Sequence, residues 1–220
     1  MRRGRGRTEA GWDWRGLVGS AVVGYLAGTL PSADIATRLA TGGETDLRTA
    51  GSGNPGATNA GAVLGYGWGL GVMAADIGKA AAACGVGRRL AGADGANIAG
   101  TAAVVGHCYP AHNGFKGGKG VAASVGQCAA TFPAYFPIDV GVALATALAP
   151  WWRQRAFAAT AVSSAAWVGG GVLWWRKGWS NSYGPEPTAS LPIASAVSSA
   201  VIMVKLVQGA RRQAALGNGS

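Results

Sequence analysis

Two polar loops carry most of the groups that could do chemistry in this sequence. The first loop, residues 41–61, contains the run GSGNPGATN at 51–59. The second loop, residues 106–120, contains GHCYP at 106–110 and FKGGKG at 115–120. Glycine-rich backbone can turn several N–H groups toward one point and so form an anion-binding nest. The alternative is that the glycines only supply the positive φ angles of tight turns.

The polar side chains of both loops suit a phosphate group. The first loop offers the uncharged side chains of Ser52, Asn54, Thr58 and Asn59. Lys116 and Lys119 in the second loop bring the positive charge that a phosphate needs. We interpret Ser52 as a hydrogen-bond donor to a phosphate rather than as a nucleophile, because no base stands near it in a triad pattern. His107 could act as a general base toward an attacking hydroxyl, or it could hold the loop through hydrogen bonds.

The composition indicates that membrane helices must position these loops. Only 13% of the 220 residues are charged, whereas soluble domains contain about 25%. Uncharged stretches approach the roughly 20 residues that cross a bilayer. Apolar segments are predicted at 16–40, 64–87, 95–111, 120–135, 137–150, 156–175 and 188–208. A soluble enzyme rich in alanine and glycine is the alternative.

The predicted fold is therefore an all-α transmembrane bundle of about seven spans, with both Gly-rich loops on the cytosolic side. Two crossings separate the loops if the spans alternate, so both lie on one side. The predicted organisation is a basic N-terminal tail (1–15), the transmembrane domain (16–208) and a basic flexible C-terminal tail (209–220). Arginines near both ends leave the orientation open by charge alone.

The net charge of +10 does not indicate nucleic-acid binding, because the basic residues stand at segment ends beside tryptophans. The isolated Cys84, Cys108 and Cys128 are expected to be buried small hydrophobic residues rather than a disulfide framework or a zinc site.

Charged pairs at helical spacing lie in or near two of the apolar segments. Asp76 and Lys79 stand at i, i+3, and Asp34 and Arg38 stand at i, i+4. Charged residues within a span indicate a functional site by default. A structural ion pair that closes the bundle is an equal alternative for both.

The two loops resemble the signature loops of the PlsY-type bacterial acyl-phosphate:glycerol-3-phosphate acyltransferases. The similarity includes the run YLAGTLPS at 25–32, Arg38, and the Asp76 and Lys79 pair. It is good from about residue 20 to 125 and weak beyond that range.

The resemblance implies a bacterial multi-pass cell-membrane enzyme that transfers an acyl group from acyl phosphate to glycerol 3-phosphate. It implies no metal and no cofactor, and we expect a monomer. The catalytic candidates are Ser52, His107 and Lys119. Binding of the substrate phosphates is expected from Gly53, Asn54, Gly56, Thr58, Asn59, Lys116, Gly117, Gly118 and Gly120.

Three departures from the family pattern keep other functions open. Ala62 stands where the first family motif has an arginine, and residues 201–213 contain no histidine or asparagine where the third motif supplies both. The serine motif expected after the fifth span is not recognisable. The same donor with a different acceptor is one alternative, and a degenerate or transport-type membrane protein is another.

Overall fold

A computed structural model describes residues 13–217 of the chain, and these residues form eight α-helices and no strand. The helices are α1 (Trp14–Gly28), α2 (Ser32–Thr41), α3 (Ala57–Leu64), α4 (Tyr66–Cys108), α5 (Val121–Thr131), α6 (Phe136–Leu148), α7 (Arg155–Lys177) and α8 (Ser190–Gly217). The all-helical prediction is confirmed.

Helix α4 consists of two antiparallel arms. A straight helix of its 43 residues would extend about 65 Å. The backbone leaves the helical region at Ala91 and Gly92, and Gly92 has a φ of 59° that glycine adopts readily. Asp76 on the first arm then lies 3.4 Å from His107 on the second. The arms, residues 66–90 and 93–108, therefore form a helical hairpin.

Glycines let α1 approach the second arm of α4 closely. A Cβ added to Gly24 would overlap the carbonyl oxygen of Ala99, and one added to Gly28 would overlap that of Ala103. Within a bilayer, van der Waals contact between small residues is a main source of helix association. The Ala- and Gly-rich composition therefore builds the centre of the bundle.

Four helical segments are long and apolar enough to cross a membrane: Trp14–Thr41, Tyr66–Asn113, Arg155–Lys177 and Ser190–Arg212. Phe136–Leu148 is a shorter apolar helix. Because Tyr66–Asn113 contains the hairpin and α5 has only 11 residues, the number of crossings remains a prediction.

The structure differs from the predicted boundaries at both ends of the bundle. The segment expected at 16–40 is split into α1 and α2, because Pro31 lacks the N–H that a continuous helix requires. Helix α8 continues to Gly217, so residues 209–217 are helical rather than a flexible tail. Residues 1–12 and 218–220, with most of the predicted N-terminal tail, lie outside the described part.

Candidate active site

The two Gly-rich loops meet the C-terminal half of α8 around one cavity of about 420 Å³. The cavity is lined by Arg48, Ser52, Gly53, Asn54, Pro55, Tyr109, Phe115, Lys116, Gly117, Lys119, Lys205, Gln208, Gly209 and Arg212. The expectation that both loops face the same side is thus consistent with their shared cavity. We call this space the cationic cavity.

The lining of the cationic cavity is positively charged. Five basic residues contribute to it, namely Arg48, Lys116, Lys119, Lys205 and Arg212, and none of its lining residues is acidic. Within residues 13–217, no acidic side chain forms a salt bridge with the last four. Such a cavity attracts a multiply charged anion, and lysine and arginine are the residues that bind phosphate.

Arg48 is held in place by a carboxylate. Its two terminal nitrogens donate to the two oxygens of Asp34 at 2.7 and 2.9 Å, a bidentate arrangement. This hydrogen bonding to Asp34 raises the pKa of Arg48 above its ordinary value. The predicted pairing of Asp34 with Arg38 was wrong, because Arg48 on the following loop offers a planar fork that matches the carboxylate.

Asn59 organises the first loop. Its buried carboxamide donates to the carbonyls of Leu47 and Ala50 at 2.9 and 3.0 Å, and it accepts the N–H of Ser52 at 2.8 Å. Gly51, at a φ of 60°, leaves the space that this carboxamide occupies. Asn59 therefore positions Ser52 at the cavity and does not line the cavity itself.

Six backbone N–H groups of the two loops donate within the loops themselves. In the first loop the N–H groups of Ser52, Gly53 and Gly56 donate to Asn59, Ala50 and Asn54. In the second loop those of Lys116, Gly117 and Gly118 donate to Asn113, Cys108 and His107. These six donors hold the loops in shape, and the nest of backbone N–H groups around a phosphate stays a prediction for the other residues of the loops.

The second loop folds back onto His107. Gly118 lies so close to the imidazole that an added Cβ would overlap Nε2. The other ring nitrogen, Nδ1, faces Asp76 at 3.4 Å, and the side chain is 8% exposed. His107 is therefore enclosed between Gly118 and Asp76, an arrangement that suits the holding of the loop.

The intramembrane pair of Asp76 and Lys79 forms as predicted, at 2.8 Å. Both side chains are buried, and Lys79 also donates to the carbonyl of Leu30 at 2.8 Å. That carbonyl lies at the break between α1 and α2, so the amine satisfies a backbone group that the break exposes. The cluster ties the break, the α4 hairpin and His107 together.

The predicted site residues fall into three groups. The cationic cavity is lined by Ser52, Gly53, Asn54, Lys116, Gly117 and Lys119. A smaller adjoining space, which shares Arg48, Pro55 and Gly117 with the cationic cavity, is lined by His107 and Gly118. Neither space is lined by Gly56, Thr58, Asn59 or Gly120. Ala62, the position of the missing arginine, is exposed on α3 and also outside both linings.

Sequence reasoning did not assign the residues of α8 to the site. Lys205, Gln208, Gly209 and Arg212 follow the i, i+3, i+4, i+7 spacing of one helix face, and that spacing was the available signal. Lys205 lies 4.8 Å from the centre of the Tyr109 ring in a cation–π contact. Lys119 also lies against this face, with its Cε 3.3 Å from a Cβ built on Gly209.

An apolar groove of about 710 Å³ lies beside the cationic cavity, between α1, the second arm of α4 and α8. Tyr25 lines the groove, and its hydroxyl donates to the carbonyl of Tyr109, which lines the cavity, at 2.9 Å. The cationic cavity thus lies next to an apolar groove.

These features define a multi-pass helical membrane protein with a positively charged cavity beside an apolar groove. The family model described as glycerol-3-phosphate acyltransferase matches residues 18–214, and the chain belongs to this family. A glycerol-3-phosphate acyltransferase of Anaeromyxobacter dehalogenans is 40% identical over 189 residues, which are 81% of this chain and 87% of that protein.

Solved structures of the family share the fold. Two crystal structures of PlsY (YgiH), described as an integral membrane glycerol 3-phosphate acyltransferase, cover 90% of this chain and 92% of theirs. The glycerol 3-phosphate form has a TM-score of 0.68 at 27% identity, and the lysophosphatidic acid form has 0.69 at 26%. The predicted family and the transmembrane helical fold are thereby confirmed.

Other matches cover only part of their relatives. The enzyme of Thermoanaerobacter pseudethanolicus is 45% identical over 107 residues, which are 53% of its length. The chain thus matches about half the length of several curated relatives.

Proposed function

We propose that this chain transfers a fatty acyl group from an acyl phosphate to glycerol 3-phosphate, giving 1-acylglycerol 3-phosphate and inorganic phosphate. The observation that carries the proposal is the cationic cavity adjoining the apolar groove. Both substrates carry a phosphate, and one also carries a long apolar chain. The proposal is supported by membership of the family and by the names of the relatives.

The charge of the cavity suits two phosphates. Lys116, Lys119, Lys205 and Arg212 have no acidic partner in the described chain, so four positive charges face the space. A phosphate monoester carries about −1.5 to −2 at neutral pH. Two such groups would therefore be close to neutralised without any metal ion.

We assign the first loop and Arg48 to the phosphate of the acyl donor. Arg48, Ser52 and Asn54 are the first-loop side chains that line the cavity, and Asp34 holds the guanidinium of Arg48 in a fixed direction. Lys116 and Lys119, together with α8, are assigned to the phosphate of the acceptor. Groups fixed in advance around developing charge are the most effective electrostatic catalysts.

The reaction requires little covalent chemistry from the protein. The acceptor hydroxyl oxygen attacks the acyl carbonyl carbon, and the bond from that carbon to the phosphate oxygen breaks. The phosphate leaves with the electron pair of this bond, and one of its oxygens takes the hydroxyl proton. We assign the proton to phosphate because His107 does not line the cationic cavity and its Nδ1 faces Asp76. Holding both substrates in register is then the main contribution of the protein.

A different acceptor with the same donor is the second candidate. It is favoured by α8, which presents Lys205, Gln208 and Arg212 in the stretch where the resemblance leads us to expect a histidine and an asparagine. The measurement is the consumption of acyl phosphate after subtraction of hydrolysis. If this consumption requires an added alcohol or phosphate compound other than glycerol 3-phosphate, the second candidate is favoured.

The test uses membranes containing the chain, palmitoyl phosphate and labelled glycerol 3-phosphate, and it follows lipid-extractable label. Variants Lys119→Ala and Lys205→Ala are compared with Lys177→Ala. Lys177 is the last residue of α7 and does not line the cavity. We expect product from the wild type and the control, and at least about a tenfold loss in the two cavity variants. No product from abundant, folded wild-type protein would overturn the proposal.

The location proposed for the enzyme is the bacterial cell membrane, with both loops facing the cytosol. That side supplies the water-soluble glycerol 3-phosphate, while the donor's chain stays in the bilayer. The groove, which is open along the helices, supports entry of the donor from the lipid.

A further inference from the structure

The apolar groove ends in a cluster of polar side chains far from the cationic cavity. Its middle is walled by Ile98, Ala102, Ile193 and Ala194. Its end is formed by Asp94 and Asn97 on α4, by Thr188 just before α8 and by Ser190, the first residue of α8. We call these four residues the polar stop.

The polar stop is closed by hydrogen bonds among its own members. The Thr188 hydroxyl donates to Asp94 at 2.6 Å, and the hydroxyls of Thr188 and Ser190 are 2.7 Å apart. The Asn97 amide donates to Ser190 at 2.8 Å, and Asn97 is 1% exposed. A hydrocarbon chain that advanced past Ser190 would separate these groups and offer no hydrogen bond in return.

Tyr25 and Tyr109 lie where the groove meets the cationic cavity. Tyr25 joins the groove to Tyr109 by its hydroxyl, and Tyr109 carries the contact with Lys205 inside the cavity. An acyl donor with its phosphate in the cationic cavity could therefore place its chain in the groove past Tyr109 without passing through the core.

The length of the groove matches a lipid chain. Val105 and Asp94 mark its two ends on the same helical arm and stand 11 positions apart in the sequence. At a rise of about 1.5 Å per residue, this span is about 16 Å. The chain of a membrane lipid spans half of the hydrocarbon core, which is about 15 Å.

We propose that the polar stop sets the longest acyl chain that the enzyme accepts, with Thr188 and Ser190 as its specificity-determining residues. This inference rests on the proposed function, because the occupant of the groove is the chain of the acyl phosphate donor. Chains that end before the stop gain apolar contact with each added methylene. Chains long enough to reach the polar stop gain no further apolar contact there.

The test compares kcat/KM for octanoyl, lauroyl, palmitoyl and stearoyl phosphates. The double variant Thr188→Val, Ser190→Ala removes both hydroxyls of the stop, and Ile98→Phe narrows the groove on the side of the stop. Thr160→Val, Ser163→Ala removes the same two groups from α7, outside the groove. Melting in detergent confirms that each variant is folded.

We expect the stop variant to raise the stearoyl-to-palmitoyl ratio of kcat/KM by about tenfold. Ile98→Phe should lower the palmitoyl rate and spare octanoyl phosphate, because Ile98 stands seven positions, or about 10 Å, from Val105 at the cavity end. The α7 control should keep the wild-type profile. An unchanged profile in folded, active stop variants would overturn the inference while leaving the proposed function intact.

A binding readout separates the two proposals if the wild type shows no turnover. Non-hydrolysable acyl phosphonates of the same four chain lengths are added, and the shift in melting temperature is measured. The polar stop is supported if the melting temperature rises with chain length up to a limit and if this limit is longer in the stop variant than in the wild type. This result needs no catalysis. Stabilisation with the same length dependence in wild type and variant contradicts it.

Discussion

The Asn59 carboxamide accepts the backbone N–H of Ser52 at 2.8 Å, and this bond fixes the first loop to helix α3. Because the carboxamide also makes two donor bonds and is buried, Asn59→Ala should lower the free energy of unfolding by about 1–3 kcal/mol. Denaturation in detergent micelles measures this loss. Asn54→Ala is the matched control, because Asn54 lines the cavity: it should raise the KM of a substrate and leave stability unchanged.

Arg48 depends on its planar fork as well as on its charge. Arg48→Lys should lower kcat/KM by about tenfold, because a lysine cannot make both bonds to Asp34 and still reach the cavity. The raised pKa keeps Arg48 protonated at all working pH values, so the charge that it contributes is not lost as pH rises through the neutral range. Arg38→Lys on α2, outside the cavity lining, should retain activity. Equal losses in both variants would argue against a role for the fork.

Gly118 leaves room for the imidazole of His107. Gly118→Ala should displace the ring and the second loop, because the added Cβ overlaps Nε2. We expect the KM for glycerol 3-phosphate to rise more than kcat falls, and His107→Gln should show the same division between the two constants. Steady-state kinetics with glycerol 3-phosphate as the varied substrate measures it. A fall in kcat alone for His107→Gln would instead indicate general-base catalysis.

The close contact of α1 with α4 depends on Gly24. Gly24→Ala should lower the melting temperature, because its Cβ would overlap the carbonyl oxygen of Ala99 and force the helices apart. Gly78→Ala is the matched control: it adds the same methyl within α4 where no atom lies within 4 Å, and it should be neutral or stabilising by up to about 1 kcal/mol. Equal melting temperatures for the two variants would show that the helices can separate at little cost.

The orientation of the bundle can be read by cysteine labelling, since Cys84, Cys108 and Cys128 are all buried. His112→Cys, beside the second loop, should react with an impermeant maleimide only after the cells are permeabilised. Tyr183→Cys should react in spheroplasts, because Tyr183 is 79% exposed and lies near Arg88, at the end of the bundle away from the loops. The reverse pattern would contradict a cytosolic location of the loops.

Local patterns predicted much of the fold and part of the site. Each predicted apolar segment contains a helix, because uncharged runs of Ala and Gly are a property of the sequence alone. The pairing of Asp76 with Lys79 was likewise predictable from spacing within one helix. The placement of Ser52, Asn54, Lys116 and Lys119 around one cavity is in line with the rule that loops two crossings apart share a side.

Features that depend on contacts between distant segments could not be predicted from the sequence. Asp34 pairs with Arg48 rather than with its helical neighbour, because the loop returns to α2. Lys205 and Arg212 could be placed at the cavity only once the packing of α8 was known. The internal hydrogen bonds of the loop glycines depend on carbonyls of Ala50, Cys108 and His107 that no composition argument identifies.

The two-residue break at Ala91 and Gly92 has a consequence for biogenesis. The second arm, residues 93–108, contains Asn97, Thr101 and His107 and extends only about 24 Å, so by itself it is a poor substrate for the insertion machinery. The partner arm supplies Asp76 to His107, whereas Asn97 and Thr101 bond to residues of α5 and α8, which are synthesised later. A ribosome stalled between the arms would therefore hold a chain that has not yet committed to its topology.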